Sequence, residues 1–213
     1  MNTHSHAFFT FAALHQLEGA PLAVAGSVLP DALYYLAVPF LAARRGISYR
    51  SAQTEVYRIP ALRRAVDALH AVPVLAVVSL LAWLFCPPLL MLCLGWASHL
   101  AIDFVTHGEG SHPHFWPLVP WRFKSPVSFY EEDRFGRQFM IAEHALMVGI
   151  VLYWLRTGFI GARSLEVLAG SAGLMLLSAF SLATMVAYVV HLRQRRAGVA
   201  RRGGGWASAL GIE

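Results

Sequence analysis

An all-α, polytopic membrane helical bundle is the fold class this sequence predicts, with about four full spans behind an N-terminal re-entrant helical hairpin. Three observations carry that prediction. The 213 residues are 57% hydrophobic and only 14% charged, with a mean hydropathy of +0.53, whereas soluble domains carry roughly 25% charged residues. Apolar runs recur along the chain, punctuated by proline and glycine. The basic residues gather in alternate connections instead of spreading evenly.

Residues 6–17 form an apolar helix that breaks at Glu18-Gly19-Ala20-Pro21. Residues 22–30 run back, and Pro30-Asp31 opens a further helical piece through Leu41. Each of the first two arms is only about 14–18 Å long, half a bilayer. That length favours a re-entrant hairpin, which returns His6 and Asp31 to one depth. The alternative is a single span over residues 20–43 with Asp31 buried inside it. Residues 44–64 are polar and hold Arg44, Arg45, Arg50, Arg58, Arg63 and Arg64. An apolar run over 71–85, entered at His70, stops at Pro87-Pro88, and residues 89–105 return. Residues 139–155 form another span with Glu143 and His144 in its first turns, and a last span covers about 165–190. Residues 1–192 thus read as one integral membrane domain, and 193–213 as a basic, disordered tail.

Of the 17 basic residues only Lys124 is not arginine. Six lie in 44–64, four in 106–137 and five in the tail, and these regions share a side if the four later spans alternate. Arg156 and Arg163 alone fall on the other side. That asymmetry puts the loops and tail in the cytoplasm. The pI near 9.6 suits membrane lipids with anionic head groups as partners. Nucleic acid is excluded, because the arginines flank apolar helices and form no polar stripe with aromatics. Cys86 and Cys93 read as packing residues, with no Cys-x-x-Cys motif. The start, MNTHSHAFF, lacks the basic region of a cleavable signal peptide. Oligomeric state is left open by the sequence.

Chemistry concentrates in residues 95–121. His99 and Asp103 lie one turn apart on a face of an otherwise apolar helix, His107 follows one turn later, and Gly108 ends the helix before His112 and His114. An imidazole and a carboxylate turned inward from such a helix are costly unless partnered. A metal ion held by His6, Asp31, His99 and Asp103 supplies the partner, with His70 adding a ligand or donating a proton. Imidazole and carboxylate together suit Zn²⁺, with Mn²⁺ or Fe²⁺ as alternatives where carboxylates are numerous. Plainer readings stand beside this one. His99 and Asp103 could fasten two helices as a polar pair, Asp31 could cap a helix, and His70 could be a surface histidine.

The loop that follows mixes histidine, aromatics and proline, as an interfacial belt does. Its histidines would hang over the site, while Arg122 and Lys124 would hold a substrate phosphate. His70 or His114 would protonate a leaving oxygen, and Glu143 with His144 would give support or acid–base help. No glycine-rich phosphate loop or nucleophile elbow is visible.

At these residues the sequence resembles the bacterial membrane-bound metal-dependent hydrolases, a family that includes a LexA-regulated inner-membrane member and is distantly similar to zinc-dependent phospholipase C. Ser5-His6, Gly26-Ser27-Val28-Leu29-Pro30-Asp31 and His99-x-x-x-Asp103-x-x-Thr106 carry the resemblance. A closer subgroup shares His114-Phe115-Trp116-Pro117-Leu118, Trp121-Arg122-Phe123 and Ser125-Pro126-Val127-Ser128-Phe129-Tyr130. The family's His-Arg-Gly-x-Thr-His-Ser motif is replaced by Leu69-His70-Ala71. The resemblance implies a metal-dependent hydrolase of the bacterial cytoplasmic membrane, with its site facing the cytoplasm and a phosphoester substrate such as a phospholipid head group. The competing expectation is a non-enzymatic membrane protein that binds metal or lipid and assists a partner complex. A transporter is the third, disfavoured by the lack of paired broken helices in two halves.

Overall fold

The computed structural model describes residues 1–159; the expected last span over 165–190, the tail from 193 and Arg163 lie outside the described residues. Within them the chain is all helical, with no strand: α1 (Thr3–Leu14), α2 (Ala20–Arg45), α3 (Tyr49–Arg58), α4 (Pro60–Leu69), α5 (Val72–Phe85), α6 (Leu90–Thr106) and α7 (Gly136–Arg156). Two compact units result. Met1–Ile47 and Ser51–Phe139 make the first, which holds α1, α2, α4, α5, α6 and most of α3. Ser48–Arg50 and the chain from Met140 make the second, which holds most of α7.

The N-terminal region departs from the expected hairpin in one respect. The turn at residues 15–19 forms, with Gly19 in the left-handed region at φ 83°, a conformation that costs glycine little. The returning helix does not stop at Pro30, however. It continues to Arg45 as one helix of 26 residues with Pro30 and Pro39 inside it, closed by Gly46 at φ 63°. Proline fixes φ near the helical value and removes a single N–H, and Gly26, Ser27 and Pro30 are buried here. Tertiary packing therefore carries the helix through the break that local propensity suggested. A short α1 lies against a full-length α2, in place of two half-length arms.

Residues 44–64, expected as a polar connection, hold α3 and the start of α4. Both helices are amphipathic. Ala52, Val56 and Val66 face a core with Ala37, Val38 and Leu41 of α2, while Arg58, Arg63 and Arg64 stay exposed. Among the described residues three helices are long and apolar enough to cross a membrane: α2, α7, and the segment Pro87–Thr106 that contains α6. A fourth counts only if α4 and α5, bent by 62° at His70-Ala71, form one span. On its own the 14-residue α5 is about 21 Å long, short of the roughly 30 Å hydrocarbon core.

α2 and α6 meet backbone to backbone. A Cβ on Gly26 would lie 1.9 Å from the Leu92 carbonyl oxygen, and one on Gly95 would lie 1.7 Å from that of Ala23. Small residues permit such closeness. The contacts of His99 with Ser27 and Asp31, further along both helices in the same direction, show that α2 and α6 run parallel. α1 runs the other way along α6: Thr10 meets Ser98, His6 meets Asp103, and the Met1 amino group meets Thr106. The Trp96 indole N–H donates to the Leu69 carbonyl at 2.6 Å and ties α6 to the end of α4.

Candidate metal centre

One turn beyond the glycine contact, the backbones of α2 and α6 are still close enough for side chain to reach main chain. His99, fully buried, donates from Nδ1 to the Ser27 carbonyl at 2.7 Å. Pro30 lacks the N–H that would bond the Gly26 carbonyl, and the opened ladder lies beside this acceptor. His70, between α4 and α5, likewise donates from Nδ1 to the Val66 carbonyl at 2.9 Å. A carbonyl oxygen only accepts, so each ring carries a proton on Nδ1, and in its neutral form keeps a lone pair on Nε2.

Both lone pairs point at carboxylates. His99 Nε2 lies 3.0 Å from Asp103 Oδ2 and 3.9 Å from Asp31 Oδ1. His70 Nε2 lies 3.5 Å from Asp31 Oδ1 and 3.9 Å from Asp103 Oδ2. Each Nε2 is buried without a hydrogen bond. His6 completes the group from α1, its Nε2 2.9 Å from Asp103 Oδ1 and its ring stacked on His99 at 3.9 Å. Thr3 Oγ1 donates to Asp31 Oδ2. The structure thus brings His6, Asp31, His99 and Asp103 together, and His70 with them.

Lone pairs facing carboxylate oxygens in a dry interior repel unless a cation or a proton lies between them. His6, His99 and Asp103 form one set whose ligand atoms lie within 4.8 Å of one another, and Asp31, His70 and His99 form another. Imidazole with its second nitrogen bonded to a carbonyl is how proteins orient a metal-ligating histidine. The residues present therefore fit a divalent ion, and nitrogen–oxygen ligation suits zinc.

This floor opens into a cavity of about 730 Å³, lined in part by Asp31, His70 and Asp103. Its wall comes from other parts of the first unit: Tyr57 of α3, Arg63 of α4, and His107, His112, Arg122 and Tyr130 from the loop after α6. Asp67 lies behind them, only 6% exposed. It is 3.4 Å from His112 Nδ1, 3.7 Å from Arg122 Nη2 and 3.8 Å from Arg63 Nε. Arg122 Nη1 donates to the Ser111 carbonyl at 2.8 Å. Burial pushes the His112 imidazole down to about 4 and that of His107 down to about 3, so both rings are uncharged near pH 7. Burial, then the carboxylates of Asp31 and Asp67, push the Tyr57 hydroxyl up to about 12 and keep it a donor.

The family model described as zinc dependent phospholipase C matches residues 5–147. The chain belongs to the zinc dependent phospholipase C family. No curated protein and no solved structure matches it. The matched stretch contains His6, Asp31, His70, His99 and Asp103 of the floor and the wall from Tyr57 to Tyr130, but not Thr3, and a zinc-dependent family agrees with the donor set that the geometry displays.

Other expected residues stand elsewhere. His114 is outside the cavity lining; its ring packs edge-on to Phe104 at 5.4 Å, its backbone carbonyl accepts from Val72 N–H, and burial lowers its pKa. Lys124, also outside the lining, pairs at the surface with Glu109 at 2.5 Å. Glu143 and His144 lie on α7 in the second unit. Sequence reasoning missed Asp67, Thr3 and Tyr57, and counted Arg63 only toward topology. A signal for Asp67 existed: it lies three residues before His70, so one helical turn presents both on neighbouring positions.

Proposed function

We propose that this protein is a membrane-embedded, zinc-dependent phosphoester hydrolase that acts on a phospholipid head group at the cytoplasmic face of a bacterial inner membrane. The observation that carries the reading is the convergence of three imidazole Nε2 atoms and two carboxylates at the bottom of a polar cavity. The apolar helices α2, α6 and α7 support placement in a bilayer, and the arginine-rich segments support the orientation.

His6, Asp31, His99 and Asp103 hold the ion in this reading, and His70 joins them as a ligand. A divalent ion held there would supply Lewis acidity toward water and a phosphoryl oxygen near neutral pH. The remaining work belongs to the chain. Backbone carbonyls of Ser27 and Val66 fix the imidazoles, so little reorganisation is needed on binding. Arg122 lines the cavity and is placed to meet negative charge on a substrate phosphate. Tyr57 donates a hydrogen bond from its protonated hydroxyl. Of the imidazoles expected to move the leaving-group proton, His70 belongs to the floor and His114 lies outside the lining.

Metal analysis of the detergent-purified full chain tests the reading, with the His99→Ala variant beside it. Wild type should hold zinc in near-stoichiometric amount and hydrolyse phospholipid, and the variant should do neither. Wild-type protein without metal, unchanged in thermal stability by a chelator, would sink it. Metal retained without turnover on any phosphoester would instead favour a non-enzymatic metal-binding protein.

A further inference from the structure

The wall of the cavity carries a feature that phosphoester cleavage on the floor does not require. Arg63 and Arg122 arrive from different elements, α4 and the loop after α6, yet both approach the same oxygen, Asp67 Oδ2, at 3.8 and 3.7 Å. At those separations neither contact is a hydrogen bond. Arg122 spends one N–H of Nη1 on the Ser111 carbonyl, neither arginine spends a donor on Asp67, and both line the cavity. Two arginine cations face the single carboxylate of Asp67, one positive charge more than it balances. Asp67 is nearly buried and cannot swing out to solvent, so it holds the guanidinium groups in place. A planar fork with free donors is the side chain best matched to a phosphate or carboxylate.

We propose that Arg63 and Arg122, held by Asp67, form a second anion subsite that selects phospholipids whose head group bears its own phosphate, beyond the phosphoester bound at the floor. The assignment to a lipid head group rests on the hydrolase reading above. The anion-binding property itself needs neither metal nor turnover. A head group ending in a quaternary ammonium would meet the excess positive charge and be disfavoured. Asp67 is a positioning residue in this arrangement and also a competitor: an incoming anion must share the two arginines with it.

The test uses the full chain in a neutral detergent, stripped of metal by a chelator, so that binding at the floor does not contribute. Inorganic phosphate, dioctanoyl phosphatidylinositol 4-phosphate, dioctanoyl phosphatidylinositol and dioctanoyl phosphatidylcholine are titrated calorimetrically. The phosphoinositide carrying the extra phosphate should bind about tenfold more tightly than phosphatidylinositol, and phosphatidylcholine should bind no better than the latter. Inorganic phosphate separates the sources: tighter binding of the phosphoinositide assigns a lipid head group, while equal or tighter binding of the free ion overturns that assignment.

Arg63→Gln and Arg122→Gln should each weaken the phosphoinositide by about tenfold, and the exposed control Arg64→Gln should leave it unchanged. Asp67→Asn should tighten it several-fold, an outcome that misfolding cannot produce. Weaker or unchanged binding in Asp67→Asn, indifference to both arginine variants, or a preference for phosphatidylcholine overturns the proposal. Because every arm is read without metal, a failure of the hydrolase reading would appear in metal content and turnover and not in these titrations.

Discussion

The floor and the wall of the cavity are built on opposite principles. The floor stands on helices α1, α2 and α6, the last two packed so closely that two glycines touch facing backbones, with His70 added from the end of α4, and two of its imidazoles are anchored to main-chain carbonyls. The wall comes from the amphipathic α3 and α4 and from a loop of 29 residues between Thr106 and Gly136, linked by longer contacts around Asp67. Rigid backbone suits the floor, because a metal tolerates little error in ligand position. Looser charge pairing suits the wall, because a substrate must displace it. One pocket thus separates what must not move from what must adapt.

The largest test of that contrast is steric. Gly26→Val or Gly95→Val places a side chain where a carbonyl oxygen already sits, less than 2 Å from the Cβ position. Neither variant should accumulate as folded, monodisperse protein on size-exclusion chromatography in detergent. If either folds with a normal thermal midpoint, the rigid floor is a fiction. Next in size, His99→Ala or Asp103→Ala should abolish bound zinc and lower phosphoester turnover by on the order of a thousandfold or more, while protein with intact helical circular dichroism is still recovered.

Thr3→Val, which removes the hydroxyl donor to Asp31, should weaken zinc by about 10–100-fold in a competition assay with a chromogenic chelator. On the wall, Arg122→Gln should leave zinc content unchanged and lower kcat/KM by roughly 10–100-fold. Loss of zinc in that variant would show that floor and wall are not separable. The smallest effect belongs to Lys124→Ala, whose partner Glu109 is exposed. Thermal stability should change by less than about 0.5 kcal/mol and zinc content not at all.

Much of the floor could be read from residue order alone. His99 and Asp103 announced themselves because ionisable groups one turn apart in an apolar helix need a shared partner. His6 and Asp31 followed from the depth argument, although the hairpin that supplied it proved to be α1 against an uninterrupted α2. Local propensity weighed Pro30 as a break, and packing against α6 overrode it. The wall was legible only in fragments. Asp67 sits among arginines in a stretch that composition marks as surface, and only folding α4 back onto α2 turns it inward. His114 and Lys124 carried the right chemistry in the right segment, but the loop's path sends one against Phe104 and the other to Glu109.

Periodicity and hydropathy, read along the chain by themselves, determined that the protein is helical and apolar and that a few inward-facing imidazoles and carboxylates would need company, because those are one-dimensional consequences of burial cost. Which nitrogen of each imidazole faces the carboxylates, and which two arginines share one buried aspartate, was decided by the tertiary structure. Both depend on the distance between backbones far apart in sequence, and that distance is set by how closely two glycines let α2 and α6 approach.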